Sequence, residues 1–259
     1  MDLCLMRPNR MKHKLAAGEM VLGPNLQIDH PWLVEMIGLA GFDFVMLDAE
    51  HGLALNNLPA LIGAADAADI PAIVRVPDHS RAYLNWALEA GAGGVQVPMV
   101  DTPDQAAALV RETKFAPVGA RGFSNATRAA DFGRIDALDY AEIANREVLL
   151  CVQLETKTSL ENAQEIAQVA GVDMVFIGPA DLAQSLGYPG QSKAPPVIDA
   201  IVRVVNTLHN HMPVGISAFS AEDVRFWKAH GVRSILTSSM HPIRQAFEQL
   251  HSDLKSGLQ

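Results

Sequence analysis

Residues 149–182 read LLCVQLETKTSLENAQEIAQVAGVDMVFIGPADL, and this stretch predicts a strand, a helix and a second strand. Two apolar runs, Val148–Leu154 and Met174–Ile177, have the length and composition of buried strands. Between them, apolar side chains recur at helical spacing, at Leu160, Ala163, Ile166, Ala167 and Ala170. Two strands joined by such a crossover run parallel to each other. The stretch therefore predicts an α/β fold built on a parallel sheet.

Each of these two strands is followed by a carboxylate. Glu155 comes directly after the first strand, and Asp181 follows the second within Gly178-Pro179-Ala180-Asp181. Side chains just beyond the carboxyl ends of parallel strands face the usual ligand crevice, so the two carboxylates are predicted to converge. Two hard carboxylate oxygens suit Mg²⁺ or Mn²⁺. The alternative is that Glu155 caps one helix and Asp181 begins another, because element ends are often acidic.

The rest of the chain continues the alternation of short strands and helices. The other six strands are predicted at Met20–Leu26, Phe44–Leu47, Ala72–Val76, Gly94–Val97, Pro213–Ile216 and Ser234–Leu236. Eight strands alternating with helices over residues 1–259 predict one domain, a (β/α)8 TIM barrel. A doubly wound open sheet is the alternative, but it usually carries an early glycine-rich fingerprint, and the sequence has none.

Composition and charge exclude several classes of protein. Apolar residues make up 49% of the chain and charged residues 19%, which supplies a sizeable core and argues against disorder. The net charge is −9 without a basic stripe, so nucleic acid is not an expected partner. Cys4 and Cys151 form no disulfide framework, and we expect Cys151 to be buried in its strand. Because the sequence has neither a signal-peptide pattern nor a run of membrane-spanning length, we expect a cytoplasmic protein.

Further polar residues fall at predicted carboxyl ends of strands, where barrels place catalytic groups. His51 closely follows the second strand and has Asp48 and Glu50 as neighbours. A nearby carboxylate orients an imidazole and raises its pKa, which suits a general base. The alternative is a surface histidine, because the chain has nine histidines.

Two other candidates lie within apolar strands. Arg75 either binds a substrate carboxylate through its planar fork or pairs with a structural acid such as Asp48 or Glu50. Gln153 either donates an amide hydrogen to an anionic oxygen or satisfies a neighbouring strand end.

Hydroxyl groups and one long connection give weaker signals. Hydroxyls that could hold a carboxylate or phosphate follow strands seven and eight, but serine is common in such loops; they belong to Ser217, Thr237, Ser238 and Ser239. The polar connection over residues 117–132 is a candidate lid, with Arg121 as either a lid cation or a surface charge.

Six motifs occur in an order that resembles one protein family. They are Asp48-Ala49-Glu50-His51-Gly52, VRVP at 74–77, VPMV at 97–100, PVGARG at 117–122, VQLE at 152–155 and FIGPADL at 176–182. Over roughly residues 15–247 the chain resembles the HpcH/HpaI group, the metal-dependent class II pyruvate aldolases. That group includes 4-hydroxy-2-oxoheptanedioate aldolase and 2-dehydro-3-deoxyglucarate aldolase, and macrophomate synthase is similar to it. The resemblance implies a TIM barrel of the phosphoenolpyruvate/pyruvate-domain type.

The resemblance also implies a role for each candidate residue. Glu155 and Asp181 match the ligands of a divalent metal, Mg²⁺ or Mn²⁺, with Co²⁺ as a further candidate. His51 matches the catalytic base, Asp48 the acid that holds it, and Arg75 the arginine beside the pyruvate carbonyl. The residues that match pyruvate-binding positions are Gln153, Gly178, Pro179 and Ser217.

The resemblance implies an enzyme that would reversibly cleave a 2-keto-4-hydroxy acid to pyruvate and an aldehyde through a metal-stabilised pyruvate enolate. The predicted strand ends carry no lysine, which argues against a Schiff-base aldolase. Two alternatives stay open. One is a related enolate-forming enzyme, such as an oxaloacetate decarboxylase or a macrophomate-synthase-like enzyme, and the other is a non-catalytic barrel that binds a carboxylate.

Assembly and specificity are implied in the same way. Family members are commonly homohexamers, as dimers of trimers, so the amphipathic C-terminal helix, Pro242–Leu254, is expected to pack on a neighbouring subunit. Many relatives carry an aspartate shortly after strand eight, where this chain has Thr237-Ser238-Ser239-Met240, and often an apolar residue where it has Ser217. These departures leave the identity of the aldehyde open.

Overall fold

The computed structural model describes residues 7–258, and within them eight strands close into a parallel barrel in chain order. The last strand pairs with the first, with Asn25 opposite Ser238, so the sheet has no free edge. The (β/α)8 prediction is confirmed, and Cys4 lies outside the described residues. The strands are β1 Val21–Leu26, β2 Val45–Asp48, β3 Ala72–Arg75, β4 Gly94–Val97, β5 Leu149–Leu154, β6 Met174–Ile177, β7 Val214–Ser217 and β8 Ser234–Ser238.

Helices surround the barrel, and short 3₁₀ turns lie at Leu55–Asn57 and Arg128–Gly133. The helices are α1 Arg10–Ala16, α2 Pro31–Leu39, α3 Leu58–Ala67, α4 Arg81–Glu89, α5 Pro103–Thr113, α6 Ala137–Glu147, α7 Lys157–Glu161, α8 Ala163–Ala167, α9 Pro179–Ser185, α10 Pro195–Leu208, α11 Ala221–Ala229 and α12 Met240–Ser256. Among residues 7–258, no helix combines the length and apolar character needed to cross a membrane.

Strands β2, β4, β5 and β6 are buried along their whole length, as expected for a parallel barrel covered by helices. Outward-facing apolar residues pack against the helices in one large cluster. A second cluster fills the barrel interior and includes Cys151, which is buried as predicted. Because side chains alternate along a strand, Gln153 and Glu155 lie on the same interior side as Cys151. The polar side chains of Gln153 and Glu155 therefore lie at the carboxyl end of the barrel, above the apolar interior cluster.

The amino-terminal helix α1 was not anticipated from the sequence. Its seven residues carry only a short apolar pattern, but Met11 and Leu15, one helical turn apart, are buried in the interior cluster. The helix therefore closes the amino-terminal end of the barrel and leaves the carboxyl end open.

Two further predictions need correction. The single helix predicted between β5 and β6 is instead two short helices, α7 and α8, and Ala170 lies beyond the second of them. The chain bends between them at Asn162, whose side chain donates to the Asp101 carbonyl at 2.8 Å. The connection over residues 117–132 leads from α5 toward β5, so it lies at the amino-terminal end of the barrel, with Arg121 and Ala129 beside Ala72 and Gly93. The lid interpretation is therefore wrong, because this connection cannot cover a site at the carboxyl end of the barrel in the same subunit.

The last helix lies apart from the barrel core. None of the α12 side chains is buried, and its apolar residues Phe247, Leu250 and Leu254 are all more than half exposed. A groove of about 540 Å³ next to its first turn is lined mainly by α2 and by residues 237–245. The helix thus presents an apolar stripe without a partner among the described residues.

Candidate active site

A cavity of about 280 Å³ lies at the carboxyl ends of the strands. It brings together seven of the nine site residues predicted from the sequence. These are Arg75, Gln153, Glu155, Gly178, Pro179, Asp181 and Ser217. Asp48 lies behind Arg75, and His51 lies at the surface with its side chain 55% exposed.

The Glu155 carboxylate is the most strongly buried acid in this cavity, with 1% of its surface exposed. The backbone N–H of Met99 donates to its Oε1 at 2.8 Å, and the Gln153 side-chain N–H donates to its Oε2. Burial raises the pKa of Glu155 to about 7, although these two hydrogen bonds act to lower it and the Asp181 and Glu50 charges add to the rise. Glu155 does not cap a helix, because Thr156 accepts from the Ser159 N–H in that role.

Asp181 reaches the same cavity from the first turn of α9, so it does begin a helix, as the alternative interpretation supposed. Gly178 separates β6 from α9 and packs directly against Glu155. A Cβ at position 178 would clash with Glu155 Oε2 and lie 3.0 Å from the Glu155 Cβ. The junction therefore needs glycine for close approach, since the backbone there has an ordinary negative φ of −89°.

These residues fit a divalent cation. Glu155 is a buried carboxylate to which no cationic side chain of the described residues is bonded, and Asp181 supplies a second carboxylate to the same cavity. Over residues 7–258, no group of three or more His, Cys, Asp and Glu side chains is arranged to hold a metal. Two carboxylates, with water and substrate completing the shell, are typical of Mg²⁺ sites.

Arg75 forms a forked ion pair with Asp48, its register partner on the neighbouring strand. Arg75 Nε donates to Asp48 Oδ1 at 2.9 Å, and Nη2 donates to Oδ2 at 2.7 Å. Burial acts to raise the pKa of Asp48, but the hydrogen bond and charge of Arg75 outweigh it, so the pKa is lowered. Arg75 thus pairs with the structural acids and also lines the cavity, so both alternatives for this residue describe part of its environment.

This pairing changes the expected partner of His51. Both Asp48 oxygens face the Arg75 fork, and Asp48 contacts His51 only by accepting its backbone N–H at 3.3 Å. The imidazole instead lies near Glu50, with Nε2 3.6 Å from Oε2. The expectation that Asp48 holds the imidazole is therefore corrected, because its carboxylate is already used by Arg75.

Glu50 connects the arginine and the histidine. Its Oε2 lies 3.2 Å from Arg75 Nη1 and makes no hydrogen bond to any described residue. Burial raises the pKa of Glu50, while the charges of Arg75 and His51 oppose the rise. This carboxylate therefore sits where it can respond to a proton on His51.

Several contributors to the site were missed from the sequence. Asn25 lines the cavity, donates to Asp48 at 3.1 Å and leaves its own Oδ1 without a partner among the described residues. Met99 supplies the N–H to Glu155 from a left-handed backbone with φ of +56°. Gln96 bonds to Gln153 from inside β4. The only sequence signals were the position of Met99 in VPMV and the presence of a polar Gln96 in an apolar strand.

The weaker candidates divide between two places. Ser217, Thr237 and Ser238 line the cavity, whereas the Ser239 hydroxyl donates to the Asn25 carbonyl at 2.7 Å and does not line it. Arg121 is neither a lid cation nor a surface charge. It is buried, with its guanidinium 4.6 Å from the centre of the Phe115 ring.

A family model and a curated relative both match this chain over most of its length. A family model described as HpcH/HpaI aldolase/citrate lyase matches residues 25–239. The 5-keto-4-deoxy-D-glucarate aldolase of Klebsiella pneumoniae is 35% identical over 255 residues, covering 96% of this chain and 97% of that protein.

Solved structures are similar over nearly the same length. An HpcH/HpaI aldolase/citrate lyase family protein from Burkholderia cenocepacia superposes with a TM-score of 0.89 at 33% identity, covering 95% of this chain and 99% of that chain. Macrophomate synthase superposes with a TM-score of 0.83 at 26% identity, covering 98% of this chain and 92% of that chain.

Proposed function

The chain belongs to the HpcH/HpaI aldolase/citrate lyase family and is a carbon–carbon lyase of the class II aldolase type, and we propose that it cleaves a hydroxy-keto acid of the 5-keto-4-deoxy-D-glucarate kind to pyruvate and an aldehyde. The observation that carries this proposal is the buried Glu155 carboxylate, which shares one cavity with Asp181 and Arg75. The cavity has room for a small acid, and it combines carboxylate, guanidinium and amide groups.

The metal would be held by Glu155 and Asp181, with Mg²⁺ or Mn²⁺ as the proposed ion and Co²⁺ as a further candidate. A divalent cation there supplies Lewis-acid polarisation of the substrate's 2-oxo group. The amide of Gln153 has a second N–H that can donate to the bound acid. The backbone at Gly178 and Pro179 and the Ser217 hydroxyl line the part of the cavity assigned to the carboxylate.

The remaining polar residues of the site have different roles in breaking the C3–C4 bond. His51 Nε2 takes the proton of the 4-hydroxyl, directly or through water, as the C3–C4 bond breaks and the aldehyde forms. The electron pair of the broken C3–C4 bond moves onto the pyruvyl fragment, and a proton delivered to C3 from water completes pyruvate. Arg75 stabilises the developing oxygen charge, and Asp48 holds the arginine fork in place. The Glu50 carboxylate, near the imidazole, stabilises the positive charge that His51 gains with this proton.

The test is pyruvate release from 5-keto-4-deoxy-D-glucarate by the full chain, with Mg²⁺, with Mn²⁺ and with a chelator. We expect turnover that needs the cation and that is lost in Asp181→Asn. Asp104→Asn is the matched control, because Asp104 is also an exposed acid in the first turn of a helix but does not line the cavity. Undiminished turnover by chelated Asp181→Asn would overturn the metal assignment.

Oxaloacetate decarboxylation is the second candidate reaction. It uses the same carboxylates and arginine, and the structural similarity to macrophomate synthase supports an enolate-forming site of this kind. It differs in needing no base at a 4-hydroxyl group. Parallel assays of oxaloacetate and of the hydroxy-keto acid therefore distinguish the two reactions.

We further propose that the chain assembles as a hexamer in the cytoplasm, with α12 packed on a neighbouring subunit. The apolar stripe of α12 and the groove beside α2 support this assembly, because exposed apolar surface of this extent marks interaction sites. The free, buried thiol of Cys151 is compatible with a reducing compartment.

A further inference from the structure

Gln96 is a buried amide directly beneath the cavity. It projects from β4 into the barrel interior, has no exposed surface, and belongs with Cys151, Met174 and Phe176 to the layer below the site. It does not line the cavity itself. A polar side chain in this apolar layer needs hydrogen-bond partners to offset its burial.

Its partners form a directed chain toward the proposed metal site. The Cys151 thiol donates to Gln96 Oε1 at 3.7 Å, and Gln96 Nε2 donates to Gln153 Oε1. Gln153 Nε2 in turn donates to Glu155 Oε2. Burial raises the pKa of the Cys151 thiol well above its usual range, so the thiol remains protonated and acts as the donor at the start of the chain.

The direction of the Gln153 amide has chemical consequences. A glutamine amide has an acceptor side and a donor side, and rotation by half a turn exchanges them. If it were inverted here, the amide oxygen would face the Glu155 carboxylate and the cavity, and two acceptors would repel each other. Only the donor orientation suits a carboxylate ligand and an anionic substrate.

We propose that Gln96 is a positioning residue that fixes the direction of the Gln153 amide, so that hydrogen-bond donors face Glu155 and the bound acid. This inference rests on the proposed function, because it assigns Glu155 as a metal ligand. Outer-shell groups of this kind orient a ligand without touching the metal.

The test is direct Mn²⁺ binding, measured by the EPR signal of free Mn²⁺ in the absence of substrate. Gln96→Leu keeps the side-chain bulk but cannot donate to Gln153, and we expect its Mn²⁺ affinity to fall by about 10–100-fold, the usual effect of losing an outer-shell partner. Met174→Leu is the matched control, since it alters the same interior layer but takes no part in the hydrogen-bond chain, and it should bind Mn²⁺ like the wild type.

The outcomes separate this inference from the proposed function. Failure of the wild type to bind Mn²⁺ overturns the metal site and the inference together. Normal Mn²⁺ affinity in folded Gln96→Leu, with only a lower melting temperature, overturns the inference alone. If Gln96→Leu does not fold, Gln96→Asn replaces it, because its amide is one methylene too short to reach Gln153, and the same weakening is expected.

Discussion

At the scale of single residues, the Arg75 guanidinium and the Asp48 carboxylate are charges that are largely removed from water and paired with each other. Arg75 is 13% exposed and is held by two acids, Asp48 on one side and Glu50 on the other. Burial acts to lower the pKa of Arg75, but the Asp48 hydrogen bond and charge raise it overall, so the guanidinium stays charged. The cavity therefore contains a fixed positive group that is already oriented before any substrate binds.

Replacing Arg75 by lysine tests whether this orientation matters. Lysine keeps the charge but loses the planar fork that engages both Asp48 oxygens. We expect kcat for aldol cleavage to fall by about 100-fold or more, the usual effect of losing one oriented donor to a developing oxyanion. Steady-state kinetics decide the point, since a change confined to KM would mean that Arg75 binds only the ground state.

Glu155 should make the metal-free protein less stable as the pH rises. Its pKa is about 7 in the fold against an ordinary value of 4.5, so the folded state holds an extra proton between these values. The contribution to stability is complete below about pH 4.5 and is lost as the pH rises through about 7. At about 1.4 kcal/mol per pH unit the loss is about 3 kcal/mol.

Glu155→Gln should remove this component. Melting temperatures from pH 4.5 to 7.5 with a chelator present would show a steeper fall for the wild type than for the variant. Parallel profiles would mean that another group carries the proton. Adding Mn²⁺ above pH 7 should restore stability to the wild type only, because the variant lacks the carboxylate ligand.

His51→Ala should separate the two candidate reactions. Aldol cleavage needs a base at the 4-hydroxyl, and removing a general base typically lowers the rate by about 10²–10⁴-fold. Oxaloacetate loses CO₂ without that proton transfer, so we expect the variant to keep a much larger share of its decarboxylation. Equal loss of both reactions at unchanged Mn²⁺ affinity would contradict the base assignment. Asp48→Asn should instead resemble the arginine variant, because Asp48 contacts Arg75 and not the imidazole.

At the scale of elements, the site depends on short junctions between strands and helices. β6 ends at Ile177 and α9 begins at Pro179, so Gly178 alone joins the strand to the helix. Asp181 therefore lies in the first turn of α9, close to the end of β6. The close approach of Gly178 to Glu155 leaves no room for a side chain. The single-residue junction at Gly178 thus places Asp181 just beyond β6 and leaves room for the Glu155 carboxylate beside the backbone.

Gly178→Ala should therefore displace the Glu155 carboxylate. We expect Mn²⁺ affinity to fall by about tenfold or more, as when a ligand loses its support, while the barrel still folds. Gly63→Ala is the control, because a Cβ there meets nothing closer than 3.9 Å. Isothermal titration with Mn²⁺ makes the comparison, and equal affinities for both variants would contradict the steric argument.

At the scale of the whole molecule, α12 is the long helix that contributes no buried side chain to the fold. Its exposed apolar stripe is expected to be covered by a second copy of the chain. Phe247→Asp should reduce the molar mass observed by light scattering, whereas Gln249→Glu, on the same helix, should not. Loss of the assembly with intact far-UV circular dichroism would support the interface, and an unchanged mass for Phe247→Asp would contradict it.

The sequence by itself determined the fold class and the kinds of residue at the strand ends. Strand burial follows from local runs of apolar residues, and the alternation of strands with helices follows from periodicity, so both can be read along the chain. The same logic placed Glu155, Asp181 and Arg75 at one end of the barrel. Periodicity did not predict α1, because its apolar pattern is short and the helix depends on the packing of Met11 and Leu15 in the barrel interior.

Only the tertiary structure decided which side chains are partners. Asp48 is three residues from His51 in sequence, yet its carboxylate faces Arg75, because strand register sets those two residues side by side. Gln96 meets Gln153 across β4 and β5, more than fifty residues apart in the chain. Such pairings depend on register and on side-chain direction inside a closed barrel, and neither property is encoded in the spacing of residues along one strand.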